Sequence, residues 1–294
     1  MVWSTAPIVR RVIAITELGR SPRISPERAT GTPVARTPIP EVGIVLTRSL
    51  QGLGGLFAMS VDTMVLLSRR PFAWQEFLRQ SWFVARVSLL PTLLLAIPFS
   101  VLLVFTFNIL LTEFGAADFS GTGAAYGAVT QIGPIVTVLV VAGAGATAMC
   151  ADLGARTIRD EIDAMRVMGI NPLQALVLPR VLAASFVAVM LSSAVILVSL
   201  VGSYVFGVFI QNVTPGAFAA GMTLLTGVGD VVVALIKAAM FGLCAGLIAC
   251  YKGLSVGGGP AGVGLAVNET VVFTFMALFG INIVTSAVAI EVLS

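Results

Sequence analysis

Two groups of residues in this chain are of a type and spacing that could do chemistry. The first is Arg156, Arg159, Asp160, Glu161, Asp163 and Arg166, the heart of the densest run of charge, in the stretch Cys150 to Arg180 that reads CADLGARTIRDEIDAMRVMGINPLQALVLPR. Guanidinium and carboxylate groups of both signs on one short segment can form ion pairs with a partner surface. The second group is Asp230 and Lys237, seven residues apart in an apolar segment, hence two turns along one face of a helix. An ammonium at mid-bilayer costs roughly 2.5 to 3.5 kcal/mol on insertion scales, so Lys237 must face protein or a watery cavity, or else snorkel to the far headgroups.

Other chemistry is excluded or disfavoured by what the chain lacks. It has no histidine, which removes the commonest general base and metal ligand. Cys150, Cys244 and Cys250 all fall in or beside apolar runs, an odd set with neither a disulfide framework nor zinc spacing. No G-x-x-x-x-G-K-[ST] run is present, and the Gly-rich Gly253 to Gly264 lacks the Lys-Ser or Lys-Thr that a phosphate cradle needs, so it reads as a flexible connector. No catalytic or metal site is expected, and without paired acids in an apolar run or a nucleophile elbow, neither is intramembrane hydrolysis.

The elements that must position the two groups are membrane spans. With 57% hydrophobic and only 11% charged residues, the composition lies outside the range of soluble domains. The reading is an all-α integral membrane protein with five transmembrane helices, an N-terminal interfacial helix and one short helix in a loop. Residues 1–41 form a flexible tail with six Arg and many Pro; residues 42–294 form the membrane domain. Apolar residues over 42–68 are interrupted by Arg48, Gln51 and Asp62, which suits a helix lying in the interface plane. Spans are expected at about 87–111, 124–151, 176–210, 227–251 and 270–290. Val87 to Leu111 is charge-free, and at about 1.5 Å per residue it covers roughly 37 Å, enough for a hydrocarbon core of about 30 Å. Pro91 and Pro98 should kink that span or mark a half-embedded start. The Gly and Ala of the second span, Ala142 to Ala146 above all, allow close helix packing and place it inside the bundle. Asn108 and Asn282 are expected to hydrogen-bond between helices.

Positive charge sets the orientation. Arg69, Arg70, Arg79 and Arg86 precede the first span, Arg156 to Arg180 lie between the second and third, and Lys252 lies between the fourth and fifth. The opposite loops hold Glu113 and Asp118 but no Lys or Arg. The N-terminus and the charged loop are therefore cytoplasmic and the C-terminus extracytoplasmic. The small net charge of +3 reports this orientation and not nucleic-acid binding.

Within the charged loop, Thr157 and Asp160 have the spacing of a capping box, which predicts a helix starting near Ile158. Gly169 and Pro172 should end it. Over about 157–168, Ile158, Ile162, Met165 and Met168 share one face and Arg159, Asp160, Asp163 and Arg166 the other. Such a helix serves equally as a cytoplasmic loop lying on its own protein or as a docking element.

The same stretch resembles the signature of the MlaE/YrbE permease family, in which a run close to E-Q-I-D-A-L is followed by M-G-x-N-P and then L-x-x-P-R. Here it stands as Asp160, Glu161, Ile162, Asp163, Ala164 and Met165, then Met168, Gly169, Asn171 and Pro172, and finally Leu178, Pro179 and Arg180. The likeness runs from about Thr47 to the C-terminus, and the Arg/Pro-rich tail looks like the A-type permease of actinobacterial Mce systems. The resemblance implies that the loop helix is a coupling helix resting on a cytoplasmic ABC ATPase dimer, through Arg156, Arg159, Asp160, Glu161, Asp163, Met165, Arg166 and Met168. It implies a permease in the inner (plasma) membrane that moves hydrophobic substrates such as fatty acids or sterols, inward, with ATP and Mg bound by the ATPase and no cofactor on this chain. The implied partners are a homologous B-type permease and extracytoplasmic MCE-domain proteins.

The family pattern also has an Asp and a Lys in the fourth span followed by Phe-Gly, as in Phe241 and Gly242, making Asp230, Lys237 and Gln131 candidates for a substrate cavity. Two departures stand out. Where the family reads close to E-L-G-P-V and A-G-R-A-G, this chain has Gln131 in QIGPI and Ala144 in AGAGA. Loss of both a carboxylate and a guanidinium points to a heterodimer whose other half keeps the pair. Two other classes compete: an ion-driven secondary transporter with Asp230 and Lys237 as coupling groups, which should show an inverted repeat that the sequence lacks, and a non-transporting scaffold for an extracytoplasmic assembly.

Overall fold

The computed structural model describes residues 41–67, 73–115, 119–211, 213–224 and 226–293, and the expected tail over 1–40 lies outside them. Among the described residues every regular element is helical: α1 Glu41–Leu67, α2 Trp74–Glu113, α3 Ser120–Ile158, α4 Glu161–Val167, α5 Leu173–Phe209, α6 Pro215–Met222, α7 Val228–Leu254 and α8 Pro260–Leu293. The chain divides into two units, Met1–Met64 and Val65–Ser294.

In the first unit, α1 covers the segment read as interfacial. Phe57, Val61 and Met64 are exposed at a spacing of four and three, an apolar stripe along one side. The hydroxyls of Ser60 and Thr63 donate to the carbonyls of Leu56 and Met59, each at 2.7 Å, so the polar side chains are satisfied within the helix.

The second unit contains five helices long and apolar enough to cross a membrane: α2, α3, α5, α7 and α8. The expected number is therefore found, but helix ends fall elsewhere. The first crossing helix begins at Trp74, thirteen residues before the charge-free run, and continues through Pro91 and Pro98 without ending. Charge marks depth in the bilayer, and a helix has no reason to stop where the hydrocarbon does. The fifth begins at Pro260, not Thr270. Gly258 and Gly259, at φ 80° and 76°, turn the chain, and Pro260 occupies the helix's first turn, so the expected Gly253 to Gly264 loop shrinks to residues 255–259. The expected break after Ile210 contains a further helix, α6, whose Phe218 is fully buried and meets Tyr204 edge to face at 5.8 Å.

The second crossing helix, α3, is the centre of the bundle. Buried residues make up 61% of its most apolar window, against 22% for α2 and 11% for α8, as its small residues predicted. It contains π-helical turns at Ala128–Ile132 and Val141–Ala146, which rotate the faces that follow them. A close helix contact joins α5 and α7. A Cβ on Gly242 would collide with the backbone of Ala184 and Ser185, and one on Gly246 would press on Val181 Cα at 3.0 Å. These glycines, four residues apart, form a G-x-x-x-G seam. The Ser185 hydroxyl donates across it to the Ala239 carbonyl at 3.0 Å.

Gly242→Leu should therefore force α5 and α7 apart and cost about 3 kcal/mol or more, as overpacking of close-packed cores does. Gly280→Ala, on α8 with open space around it, should leave thermal stability in detergent unchanged or slightly raised. Equal melting of the two variants would remove the seam from the account.

Candidate functional site at the connection between the second and third spans

The connection is built by two turns, one on either side of α4. Helix α3 runs past the expected start of the loop helix as far as Ile158. Thr157, expected to cap the next helix, lies in the last turn of α3 and donates its hydroxyl backwards to the Leu153 carbonyl at 3.0 Å and across to the Gly253 carbonyl of α7 at 3.1 Å. Asp160 then turns the chain at φ 59°, a left-handed conformation that Asp tolerates better than most residues, and α4 starts at Glu161. Expectation and structure differ because the second span is still helical where the capping motif would begin.

The end of α4 follows the sequence reading. Gly169 at φ 78° donates its N–H to Arg166, and Ile170 donates to Met165 at 2.9 Å, the paired bonds of a Schellman ending. Asn171 Oδ1 accepts the Leu173 N–H at 3.0 Å, so Asn171 and Pro172 open α5.

The two faces of α4 are sorted only in part as expected. Ile162 is buried, and Ile158 and Met165 are half-buried. Met168 is 66% exposed, because the helix ends at Val167 and Met168 is its cap; Val167 itself is 89% exposed. Together with Ile170 they make an apolar tip. Around it, Arg159 pairs with Glu161 at 2.8 Å and Arg166 with Asp163 at 2.7 Å, all at the surface. Exposed pairs of this kind contribute little and exchange partners readily.

Beneath the tip lies a residue that the sequence reading did not single out. Asp152 of α3 accepts a hydrogen bond from Arg180 of α5, while Arg156 lies 3.4 Å from the same carboxylate oxygen. Arg180 is fully buried, where a loop cation was expected, and its Nε and Nη1 have no partner. Close by, Lys252 of α7 pairs with Glu269 of α8 at 2.6 Å and sits 4.4 Å from the Phe273 ring centroid. The final turns of α3 are thus tied to α5 by charge and to α7 by a hydroxyl. The spacing of Asp152 and Arg156 signals only their contact within α3; the tie to Arg180, 28 residues on, is not readable from spacing. Glu269 could be found only by knowing how short the α7–α8 turn is.

The remaining candidates do not converge. Asp230 is half-buried in the first turn of α7, where Oδ2 accepts the Gly227 N–H at 2.9 Å and caps the helix. Lys237, two turns deeper, is buried and donates to Ser286 of α8 at 2.8 Å. The expected snorkelling alternative does not occur, because α8 supplies an acceptor. Gln131 is exposed in the first π-helical turn of α3 and Ala144 is half-buried in the second. Neither Asn108 nor Asn282 has a partner for its buried Oδ1, so the expected carbonyl-side bonds between helices are not formed.

Five membrane-crossing helices around a small-residue core, with an exposed helical tip on one inter-span connection, define a polytopic membrane protein. The family described as Permease MlaE matches residues 77–288, more than half of the chain, and the chain belongs to that family. The match starts inside α2 and leaves α1 outside it. A probable ABC transporter permease protein of Synechocystis is 30% identical over 166 residues, 52% of this chain and 63% of the relative, somewhat less than two thirds of that protein's length. A probable ABC transporter permease protein of Rickettsia conorii is 27% identical over 232 residues, 79% of this chain and 89% of the relative. The intermembrane phospholipid transport system permease protein MlaE of Haemophilus influenzae is 26% identical over 181 residues, 61% of this chain and 69% of the relative.

Asp152→Ala should leave the Arg180 guanidinium buried without its counter-charge and destabilise the bundle by about 3 kcal/mol. Adding Arg180→Met should restore much of the loss, whereas Arg159→Ala should change thermal stability by less than about 1 kcal/mol. A double variant no better than Asp152→Ala would show that the pair does not hold the two spans.

Proposed function

We propose that the chain is the permease subunit of an ATP-driven transporter of hydrophobic lipids, working with a homologous permease. The observation that carries this reading is the exposed tip of α4, Val167, Met168 and Ile170 flanked by exchangeable ion pairs, on a helix whose supports tie into α3 and α5. An ATPase dimer binding ATP and Mg on the cytoplasmic side would take the tip in a groove. Arg156, Arg159, Asp160, Glu161, Asp163, Met165, Arg166 and Met168 are then the coupling surface. Pushing on α4 would move two spans together, because Asp152 and Arg180 join them. The orientation follows from the positive charges, with the N-terminus cytoplasmic and the C-terminus outside.

The name of the Haemophilus relative, an intermembrane phospholipid transport system permease, supports a lipid as substrate. We extend this to fatty acids, sterols or related lipids carried inward with extracytoplasmic MCE-domain proteins, as in an A-type Mce permease. The homologous partner is inferred from Gln131 and Ala144, which stand on π-helical turns where the family pattern carries charges. A B-type subunit with the charged pair would complete the lipid cavity. Asp230 and Lys237 serve here mainly as a helix cap and an interhelical tie.

Replacing Val167 and Met168 together by Asp should abolish co-purification of the ATPase while leaving the melting temperature of the permease within a few degrees, since both side chains are exposed. Reversing Asp160 and Asp163 to Arg should weaken the same association. Unchanged ATPase binding in both variants would overturn the coupling role.

A further inference from the structure

We propose that a groove between α2 and α5 binds one anionic diacyl phospholipid, with its phosphate at Arg86 and Arg79 and an acyl chain in the groove. The site uses none of the residues offered for the substrate cavity, Gln131, Asp230 and Lys237, and requires only that α2 crosses the membrane.

The groove is a hollow of about 310 Å³ whose walls are almost wholly apolar, among them Trp82, Leu89, Leu93, Met190 and Ala194. Phe186 and Met190 also line a second hollow of about 470 Å³ that reaches Trp74 at the start of α2. One polar group stands out in its wall. The Ser81 hydroxyl is buried, the residue being 9% exposed, and has no hydrogen-bond partner. An orphan hydroxyl beside an apolar channel fits a ligand with an ester or phosphate oxygen at that level and hydrocarbon below it.

The charge beside the groove fits the same ligand. Arg79 and Arg86 are seven residues apart on one face of α2, and Trp82 between them belongs both to that face and to the groove wall. Both arginines are exposed; Arg86 has no ion pair among the described residues, and Arg79 has only a 3.5 Å contact with Glu76. Side chains on a helix lean towards its N-terminus, so Arg86 reaches back from the edge of the charge-free run towards the level of Ser81 and Trp82. Trp74 and Trp82, 66% and 72% exposed, are placed as interfacial anchors on the same turns. A guanidinium at that depth, next to a channel for a chain, is complementary to an anionic phospholipid of the leaflet that meets the N-terminal end of α2. A zwitterionic lipid would bring a cation towards two arginines.

The test uses the full chain with its partners, reconstituted in bilayer discs of equal phosphatidylglycerol and phosphatidylcholine with identical chains, then read by native mass spectrometry without ATP. The wild type should retain phosphatidylglycerol in preference. Arg86→Gln, a surface change that leaves the fold intact, should lower that retention roughly tenfold, the loss of a charge-assisted bond. Ala194→Phe, which fills the apolar end, should lower it too, with thermal melting as the control for folding. Equal retention of both lipids, unchanged retention in Arg86→Gln, or a cross-link from Trp82→Cys to residues 41–64 showing that the chain's own helix fills the groove would each overturn the site. Because nucleotide is absent and lipid is counted directly, failure here is distinct from failure of the transport reading.

Discussion

The Asp152 carboxylate sits between two guanidinium groups, and the side of the bundle that carries α4 is organised by that arrangement. Removing an arginine from water is among the largest penalties a side chain can incur, and Arg180 is removed completely. One acid, a third exposed, compensates it while also attracting Arg156 from its own helix. Because the acid belongs to α3 and the buried base to α5, the helices on either side of α4 cannot separate at this end without exposing an uncompensated charge. Thr157 extends the constraint to α7 through the Gly253 carbonyl. The outcome is a stiff platform under a short helix whose own ion pairs are superficial. Charge ties below and exchangeable contacts above are what the coupling role proposed for α4 would need.

How much of this was legible depends on which physical property wrote it. The number of spans was legible because a charge-free run of 25 residues admits few other solutions, and so was the end of α4, because Gly169 and Pro172 have few alternative uses. Helix boundaries were not, since the helix of the first span already begins at Trp74, through residues that the charge pattern placed only ahead of the span. The capping motif at Thr157 failed for a related reason: a local signal competes with a helix already in progress, and the helix wins when its last turn finds partners on α7. The π-helical turns of α3 leave no readable trace among small residues, yet they determine where Gln131 and Ala144 point.

The candidate site shows the same division. Sequence spacing correctly put Asp230 and Lys237 on one helix, but spacing along a helix says nothing of what a neighbour offers. Asp230 turned to the backbone at its own N-terminus, and Lys237 found Ser286 across the gap to α8. Each polar group took the nearest satisfying partner, a stronger demand in a low-dielectric bundle than the attraction of two charges two turns apart. The buried Oδ1 atoms of Asn108 and Asn282, which found none, mark places where a single chain leaves that demand unmet.

The distribution of burial carries the argument one step further. The helices that hold the platform, α3, α5 and α7, have buried shares of 61%, 50% and 44% in their most apolar windows, whereas α2 and α8 have 22% and 11%. Flanking helices this open are covered by lipid or by other chains. Attraction between apolar helices is weak in a bilayer, so partner choice there depends on small-residue fit and on polar groups. On α2 those polar groups are Arg79, Ser81 and Arg86 at one end; on the exposed side of α3 they include Gln131. A bundle braced at its centre and chemically marked on its flanks can keep its internal packing while its surroundings change.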